Sequence, residues 1–381
     1  MFDSMLLIFV ASAVLASLAL FCRQPLIVVY IVVGCVLGPH GLQWVTDHEV
    51  LSEMGHIGVI FLLFIVGLDL PPQKIKSVLG QSIVTVAVST LVFFVVGAGI
   101  GILFGFTVLE AAITGIAVVF SSTIVGIKLL PKTVLHHRHV GEIVIGLLLL
   151  QDLLAVFALL YMKGLEGSFA WHSWLIATLG VPGLAALAFV CAKYLFWPLL
   201  RRFDVFTEFT FLLFLGWCMG VAWIAHLLGL PVEVGAFLAG VVLANLQASQ
   251  GIAQTLEPLR DFFLVLFFFY VGASVDPRLL WELIWQVLVL GAVLVALKPV
   301  VFRYLIGWQG ETASTSWEIG ARLGQCSEFS LLVLYLAVTQ MSESSMLIVL
   351  GASVMTILIS SYIVVFKFKN PIAISDRLRV D

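Results

Sequence analysis

The sequence predicts an all-α polytopic membrane protein with about thirteen transmembrane helices. Of its 381 residues, 62% are hydrophobic and only 11% are charged, whereas a soluble domain carries about 25% charged residues. The hydrophobic residues fall into long runs, and a helix that crosses a bilayer needs roughly 20 residues of this kind. The predicted spans, numbered 1 to 13 in chain order, cover residues 4–22, 25–38, 54–70, 80–104, 109–130, 139–163, 173–198, 207–228, 231–247, 259–275, 279–306, 316–340 and 344–366.

The charges between the spans predict how the chain is oriented. With the N-terminus outside, Lys163 and Arg278 are the only members of the 19 Lys and Arg residues that fall in outer loops. Positive residues favour the cytoplasmic side of a membrane. We therefore expect a multi-pass protein of the cell (inner) membrane with a cytoplasmic C-terminus. Because no positive stretch precedes the first apolar run, we interpret that run as a retained span rather than a signal peptide.

Two short patterns recur at nearly the same distance along the chain. Residues 34–37 (GCVL) return as residues 240–243 (GVVL), at an offset of 206. Residues 64–67 (FIVG) return as residues 269–272 (FYVG), at an offset of 205. The copies lie seven spans apart, and an odd number turns the second copy upside down in the membrane. The pattern therefore predicts the inverted repeat found in many secondary transporters.

Asp152 lies in the middle of an apolar run in span 6, directly after Gln151. A carboxylate at bilayer depth is costly and usually marks an ion or proton pathway. It lies about 20 Å from the inner end of its span at about 1.5 Å per residue, near the midplane. We therefore expect Asp152 to bind either a monovalent cation or a proton. Lys298 in span 11 is its expected charge partner, and the alternative is a lysine that extends to the inner surface.

Polar residues interrupt the centres of spans 5 and 12: Ser121, Ser122 and Thr123 in the first, and Arg322, Gln325 and Glu328 in the second. At an offset of 205, Ser122 corresponds to Ser327, so the two segments are counterparts in the repeat. Polar centres of this kind favour broken helices, whose free backbone groups and dipole ends can hold ions. Hydroxyls that bond to their own helix are the alternative for span 5. Arg322 and Glu328 are not predicted to pair, because their spacing does not place them on one helical face.

Seven stretches in order resemble the monovalent cation:proton antiporter-2 family. They are GCVLGPHGL, LLFIVGLDL, FSSTIVG, LLLLQDLLAV, PVEVGAFLAGVVLAN, FFFYVGASVD and GQCSEFSLLV. Within this family, the pair Gln151-Asp152 and the segment from Gly324 to Phe329 are most similar to Kef-type potassium/proton antiporters. The resemblance implies a sodium/proton-antiporter-like fold in which the broken helices of spans 5 and 12 cross. Asp152 then matches the ion-binding aspartate, Lys298 the lysine of the adjacent helix, and Glu328 a carboxylate near it.

The resemblance also implies a domain organisation and a set of partners. A scaffold that forms a homodimer would comprise residues 1–75 and 206–278, and a transport core would comprise residues 76–165 and 279–368. Residues 166–205 would link them, and residues 369–381 would form a cytoplasmic tail. The regulatory nucleotide-binding domain of Kef proteins has no counterpart in this sequence, so glutathione gating is not expected. No cofactor is expected, and the partners are the lipid bilayer, the transported cation and the proton.

The function favoured by these residues is exchange of a monovalent cation for a proton by elevator-like alternating access. Potassium is the first candidate and sodium the second, because one carboxylate beside the neutral Gln151 favours one-for-one exchange. An organic-anion symporter of the same architecture and a gated cation channel or sensor are the alternatives. A membrane enzyme is not favoured, since no metal site, nucleophile-base set or phosphate loop is visible. Nucleic-acid binding is not expected, because no basic patch is interleaved with aromatic residues.

Overall fold

A computed structural model describes residues 2–22, 24–45, 48–68, 72–122, 139–165, 171–203, 206–244 and 249–367. Over these residues the chain forms helices and no strand, and each of the thirteen predicted spans contains at least one helix. The all-α polytopic fold predicted from the sequence is therefore confirmed. Among the described residues, six helices are long and apolar enough to cross a membrane, and the other apolar helices are shorter.

The helices follow the order of the predicted spans. Spans 1 to 7 contain, in order, Phe2–Phe21, Leu26–Leu37, His48–Leu68, Pro72–Leu103, Val108–Val119, His139–Leu165 and Trp171–Cys191, the last continued by a π-helical turn, Ala192–Phe196, and by Trp197–Phe203. Spans 8 to 13 contain Thr207–Leu227, Val232–Ala244, Ser249–Ala273, Pro277–Glu282 with Ile284–Trp308, Ala313–Arg322 with Glu328–Leu336, and Glu343–Lys367.

Some helices begin earlier than the apolar runs that predicted them. The helix of span 10 begins at Ser249, although its apolar run begins near residue 259, because a polar segment continues the same helix. Span 11 opens with a short helix that begins at Pro277, just before its apolar run at residue 279, and Asp276 caps this helix by accepting a hydrogen bond from the Arg278 backbone N–H at 2.8 Å. Hydrophobicity identifies only the apolar part of a helix, so apolar runs do not predict these polar turns.

The helix of span 5 ends, and that of span 12 breaks, where the polar centres lie, and we call residues 120–122 and 323–327 the interruptions of these two spans. The helix of span 5 ends at Val119, and Phe120 is extended with φ −74° and ψ 145°. The first helix of span 12 ends at Arg322, and a second begins at Glu328 after the extended residue Ser327. The broken helix predicted for span 12 is confirmed. The continuation of span 5, with Thr123, lies outside the described residues.

The packing divides the chain into two compact units, of which the first contains residues 1–47, 77–155 and 268–381. In this unit the long helix of span 11 packs against the first helix of span 12 and against span 13. Gln309 Nε2 donates a hydrogen bond to Thr85 Oγ1 at 2.6 Å and joins the end of span 11 to span 4. Every described residue of the predicted site belongs to this unit.

The second unit contains residues 48–76 and 156–267. Span 9 packs along span 3 and also contacts span 8, where Trp217 Nε1 donates to the Ala239 carbonyl at 3.1 Å. Buried aromatic side chains such as Phe64 and Phe214 form its apolar core. These units reflect packing within one chain, and the scaffold and transport domains implied by the resemblance stay a prediction.

Glycine contacts between helices repeat the internal duplication. In the first unit, a Cβ on Gly34 would overlap the carbonyl oxygen of Phe269. In the second unit, a Cβ on Gly240 would overlap the carbonyl oxygen of Phe64. Gly240 follows Gly34 by 206 positions, and Phe269 follows Phe64 by 205 positions, so the two contacts are counterparts in the repeat. The same close approach of two helices is therefore built once in each unit.

A second pair of contacts repeats the pattern in spans 4, 5, 11 and 12. A Cβ on Gly115 would lie 2.7 Å from the carbonyl oxygen of Phe94, and a Cβ on Gly320 would lie 2.5 Å from that of Pro299. Both residues of the second pair follow those of the first by 205 positions. Spans 4 and 5 therefore pack against each other as spans 11 and 12 do.

Candidate functional site at the interrupted helices

Span 6 places Gln151 next to the interruption of span 5, and Asp152 is the following residue of the same helix. Both side chains are buried, with exposed fractions of 0% and 6%. Gln151 Oε1 accepts a hydrogen bond from the Ser121 backbone N–H at 3.1 Å. Ser121 follows the end of the span 5 helix, so the side chain of Gln151 satisfies a donor that the interruption exposes. Asp152 follows one residue later on the same helix, only about 1.5 Å further along its axis.

The interruptions of spans 5 and 12 lie against each other. Ser121 Oγ donates to the Leu323 carbonyl at 2.9 Å, and Ser122 Oγ donates to Glu328 Oε2 at 3.0 Å. Gln325 Nε2 lies 3.4 Å from the carbonyl oxygen of Ser122. The alternative in which the span 5 hydroxyls serve their own helix is therefore wrong for Ser121 and Ser122.

Lys298 joins both interruptions through backbone carbonyl groups. Its side chain is fully buried, and Nζ donates to the carbonyls of Val118 at 3.1 Å, Phe120 at 2.7 Å and Gln325 at 3.0 Å. An ammonium group has three N–H donors, and these three bonds use all of them. Two of the carbonyls lie at the C-terminal end of the span 5 helix, where the helix dipole favours a positive charge.

The position of Lys298 decides one of the sequence alternatives. Because its ammonium group bonds to the interruptions, it does not extend to the inner surface. A contact with Asp152 would have to share or replace one of the three carbonyl bonds, and the predicted pairing with Asp152 stays a prediction. The ring of Phe93, with its centre 5.3 Å from Nζ, adds a cation–π contact, and Phe93 is the repeat counterpart of Lys298 at an offset of 205.

Glu328 places a negative charge at the opposite kind of helix end. It is the first residue of the second helix of span 12 and is 5% exposed. Its Oε2 accepts hydrogen bonds from Ser122 Oγ at 3.0 Å and from Ser327 Oγ at 3.2 Å. The N-terminal end of a helix favours a negative charge. Lys298 and Glu328 therefore each match the dipole of the helix end they contact.

Span 13 supplies hydroxyl groups to the interruption of span 12. Gln325 Nε2 donates to the Arg322 carbonyl at 2.8 Å, and Ser360 Oγ donates to Gln325 Oε1 at 2.8 Å. The Cys326 backbone N–H donates to Thr356 Oγ1 at 2.9 Å. Thr356 and Ser360 were not predicted as site residues, because hydroxyl groups in an apolar helix commonly bond to their own backbone.

The two interruptions are held in the same way. The Ser121 N–H donates to Gln151, and the Cys326 N–H donates to Thr356. Donor and acceptor of the second bond each follow those of the first by 205 positions. The offset thus identifies Thr356 as the counterpart of Gln151. It also makes Ile357 the counterpart of Asp152, so this position is a carboxylate in one copy and apolar in the other.

Arg322 forms an ion pair one turn earlier on its own helix. Its Nε and Nη2 atoms lie 3.1 Å and 2.8 Å from Glu318 Oε1. Glu318 was not among the predicted site residues, although a Glu four residues before an Arg is a recognised stabilising spacing on a helix. This pair serves the first helix of span 12, next to the interruption.

The arrangement combines a buried carboxyl group with interrupted helices cross-linked by charges and hydroxyls. A desolvated carboxylate binds a proton or a cation, and backbone oxygens at broken helices can act as further ligands for a monovalent cation. Among the described residues, hydrogen bonds join Gln151 to Ser121, and they link Ser122 with Glu328, Gln325 and Lys298. Such a site suits a secondary transporter.

Comparison with known proteins identifies the class and then the family. A structure of the sodium proton antiporter MjNhaP1 from Methanocaldococcus jannaschii superposes with a TM-score of 0.70, covering 93% of this chain and 94% of that one. The two sequences are 15% identical, so the likeness establishes a shared antiporter fold. The family model "Sodium/hydrogen exchanger, transmembrane" matches residues 6–369. The chain therefore belongs to the sodium/hydrogen exchanger family.

Proposed function

We propose that this protein exchanges a monovalent cation for a proton, with Asp152 as the group that binds each in turn. The observation that carries the proposal is the burial of Asp152 beside Gln151, which caps the interruption of span 5. A carboxylate at this depth holds one positive charge at a time, either a proton or a cation. The family and fold are those of antiporters, which supports exchange rather than conduction.

Potassium and sodium are the two candidate cations. The neutral Gln151 leaves the site with one carboxylate rather than two in tandem, which favours a larger, more easily dehydrated cation such as potassium and a one-for-one exchange. The similarity to Kef-type sequences points the same way. The sodium/hydrogen exchanger family and the archaeal sodium proton antiporter with the same fold support sodium at least as well.

The proposed transport cycle is elevator-like alternating access. Residues 76–165 and 279–368 would move as a transport core against a scaffold of residues 1–75 and 206–278, and the scaffold would form a homodimer. The cross-links between the interruptions of spans 5 and 12 suit a core that moves as one body. We place the N-terminus outside and the C-terminus in the cytoplasm of a cell whose inner membrane holds the protein.

The test of Asp152 is exchange by an Asp152→Asn variant in proteoliposomes that contain a pH-sensitive dye. The amide keeps the shape of the side chain and removes its charge, so we expect cation-driven proton movement to be abolished while the variant still elutes as a folded protein. Asp276→Asn is the matched control, because asparagine also caps helices well and exchange should be retained. A folded Asp152→Asn variant that still exchanges would exclude the assigned role.

The same vesicles identify the cation and the stoichiometry. Potassium, sodium, lithium and rubidium gradients are compared at equal concentration, with the membrane potential clamped at several values. We expect proton movement with potassium that does not depend on the potential. If sodium outcompetes potassium, the sodium assignment replaces it, and a rate that follows the potential would rule out one-for-one exchange.

A further inference from the structure

A second cluster of charged and aromatic side chains lies at one end of spans 11, 12 and 13. Arg303 Cζ lies 4.5 Å from the centre of the Trp317 ring, and Lys367 Nζ lies 5.4 Å from the same centre. Arg303 also lies 5.7 Å from the ring of Tyr304. Two cations from different spans therefore share one indole, and all of these residues belong to the first unit.

The cluster carries an excess of positive charge. In the described part of the chain, the ion pairs include neither Arg303 nor Lys367. Glu318, the acidic neighbour of Trp317 in sequence, is already paired with Arg322. Two like charges close to one ring repel each other, and cation–π contacts at exposed sites compensate only weakly. An anion bound near both Arg303 and Lys367 would reduce this repulsion.

Exposed aromatic side chains lie on the two helices that carry Arg303 and Lys367, within five residues of these basic residues in sequence. Tyr304, Trp308 and Phe366 are 68%, 77% and 80% exposed, and the rings of Tyr362 and Phe366 stack with centres 5.8 Å apart. Tyr and Trp concentrate where a membrane meets water. The loop charges predict that this end of the spans faces the cytoplasm, and that leaflet carries the anionic lipids. The anion therefore has an apolar environment beside it.

We propose that Arg303, Trp317 and Lys367 form a binding site for the headgroup of an anionic phospholipid. The guanidinium of Arg303 can donate two parallel hydrogen bonds to phosphate oxygens, and Lys367 contributes a compact charge that follows the headgroup. The acyl chains lie against the exposed aromatic rings, which is why a lipid fits the site better than free phosphate. The site ties the ends of three spans of the first unit together.

The test uses the full chain, purified in detergent and stripped of lipid. Its thermal unfolding is followed as phosphatidylglycerol, phosphatidylcholine or inorganic phosphate is added. We expect phosphatidylglycerol alone to raise the unfolding temperature. In the double variant Arg303→Gln with Lys367→Gln, the concentration for half-maximal stabilisation should rise about tenfold or more, since each basic residue near the surface contributes to the attraction. Lys367→Gln alone, at the exposed end of its helix, should give an intermediate shift.

Lys193→Gln is the matched control. Its ammonium lies 5.4 Å from a single ring, that of Tyr194, and belongs to the second unit, so the variant loses the same charge without touching the cluster. We expect its response to phosphatidylglycerol to equal that of the unmodified protein. The proposal is overturned if Lys193→Gln weakens the response as much as Lys367→Gln, if inorganic phosphate stabilises equally, or if both Lys367 variants respond unchanged. None of these readouts depends on transport.

Discussion

At the scale of single residues, Lys298 shows what the sequence could and could not predict. A lysine in the middle of an apolar span must be satisfied by acceptors, and the sequence predicted its burial and importance. Its partners proved to be the carbonyls of Val118, Phe120 and Gln325. Every residue has a carbonyl group, so no residue type marks these acceptors. They become available only because the helices end there.

Replacing Lys298 with Met should lower the thermal stability markedly. The variant keeps an apolar stem of similar length and removes the ammonium, which leaves three buried acceptors without their donor. Each unsatisfied buried group costs about 1–3 kcal/mol. The measurement is thermal unfolding in detergent, with Lys193→Met as the control for loss of an exposed ammonium. Equal stability of the Lys298→Met variant and the unmodified protein would show that water or other groups replace these bonds.

A double-mutant cycle tests the predicted pairing of Lys298 with Asp152. If the two side chains interact, the double variant Lys298→Met with Asp152→Asn should lose less in unfolding temperature than the two single variants lose together. The effects of substitutions at residues in contact are not additive. Strict additivity would mean that Lys298 serves the carbonyl groups alone. The cycle needs no transport assay and therefore separates the structural role of Lys298 from the proposed exchange.

At the scale of elements, each interrupted helix depends on a neighbouring continuous one. Span 6 provides Gln151 for the Ser121 N–H, and span 13 provides Thr356 for the Cys326 N–H. Gln151 drew attention because it precedes a membrane-buried aspartate. Thr356 lies in an apolar helix and resembles an ordinary hydroxyl residue. The repeat offset of 205 links the two positions. The sequence therefore points to Thr356, but only once Gln151 is known to bond to the interruption of span 5.

We expect Thr356→Val to destabilise the protein and slow exchange, whereas Thr356→Ser should restore both. Valine keeps the volume and loses the acceptor for Cys326 N–H, which then lies buried without a partner at a cost of about 1–3 kcal/mol. Ser353→Ala on the same helix is the control, because Ser353 Oγ has no hydrogen-bond partner among the described residues. The measurements are thermal unfolding and proteoliposome exchange. If valine behaves like serine in both, Thr356 does not hold the interruption.

Element boundaries were harder to predict than element identity. Each of the thirteen apolar runs contains at least one helix among the described residues, because a helix that crosses a bilayer must be largely apolar. The apolar runs missed the polar start of the span 10 helix at Ser249 and the division of span 11 into a short helix from Pro277 and a long one from Ile284. Those turns are held by capping and by backbone hydrogen bonds, which depend little on hydrophobicity. The pair Glu318 and Arg322 was visible as a helical spacing, but only once the first helix of span 12 is known to end at Arg322.

At the scale of the whole molecule, the two copies of the repeat share their packing and differ in their chemistry. Gly34 and Gly240 make equivalent contacts with the backbones of Phe269 and Phe64. The copies differ at the site, where Asp152 corresponds to Ile357 and Lys298 to Phe93. Packing constrains both copies alike, whereas the exchange proposed above needs its carboxylate in one copy only. The repeat was therefore easiest to detect in the glycine patterns and hardest to detect at the site.

Gly34→Ala and Gly240→Ala should lower the unfolding temperature by similar amounts. Alanine favours a helix over glycine by about 1 kcal/mol, but its Cβ would overlap a backbone carbonyl that cannot rotate away. Overpacking of this kind costs about 1–3 kcal/mol, so we expect a net loss at both sites. Gly220→Ala is the control, because its Cβ meets nothing within 4 Å and only the helix preference remains. A loss at one glycine alone would mean that the two copies, although alike in geometry, do not contribute equally to stability.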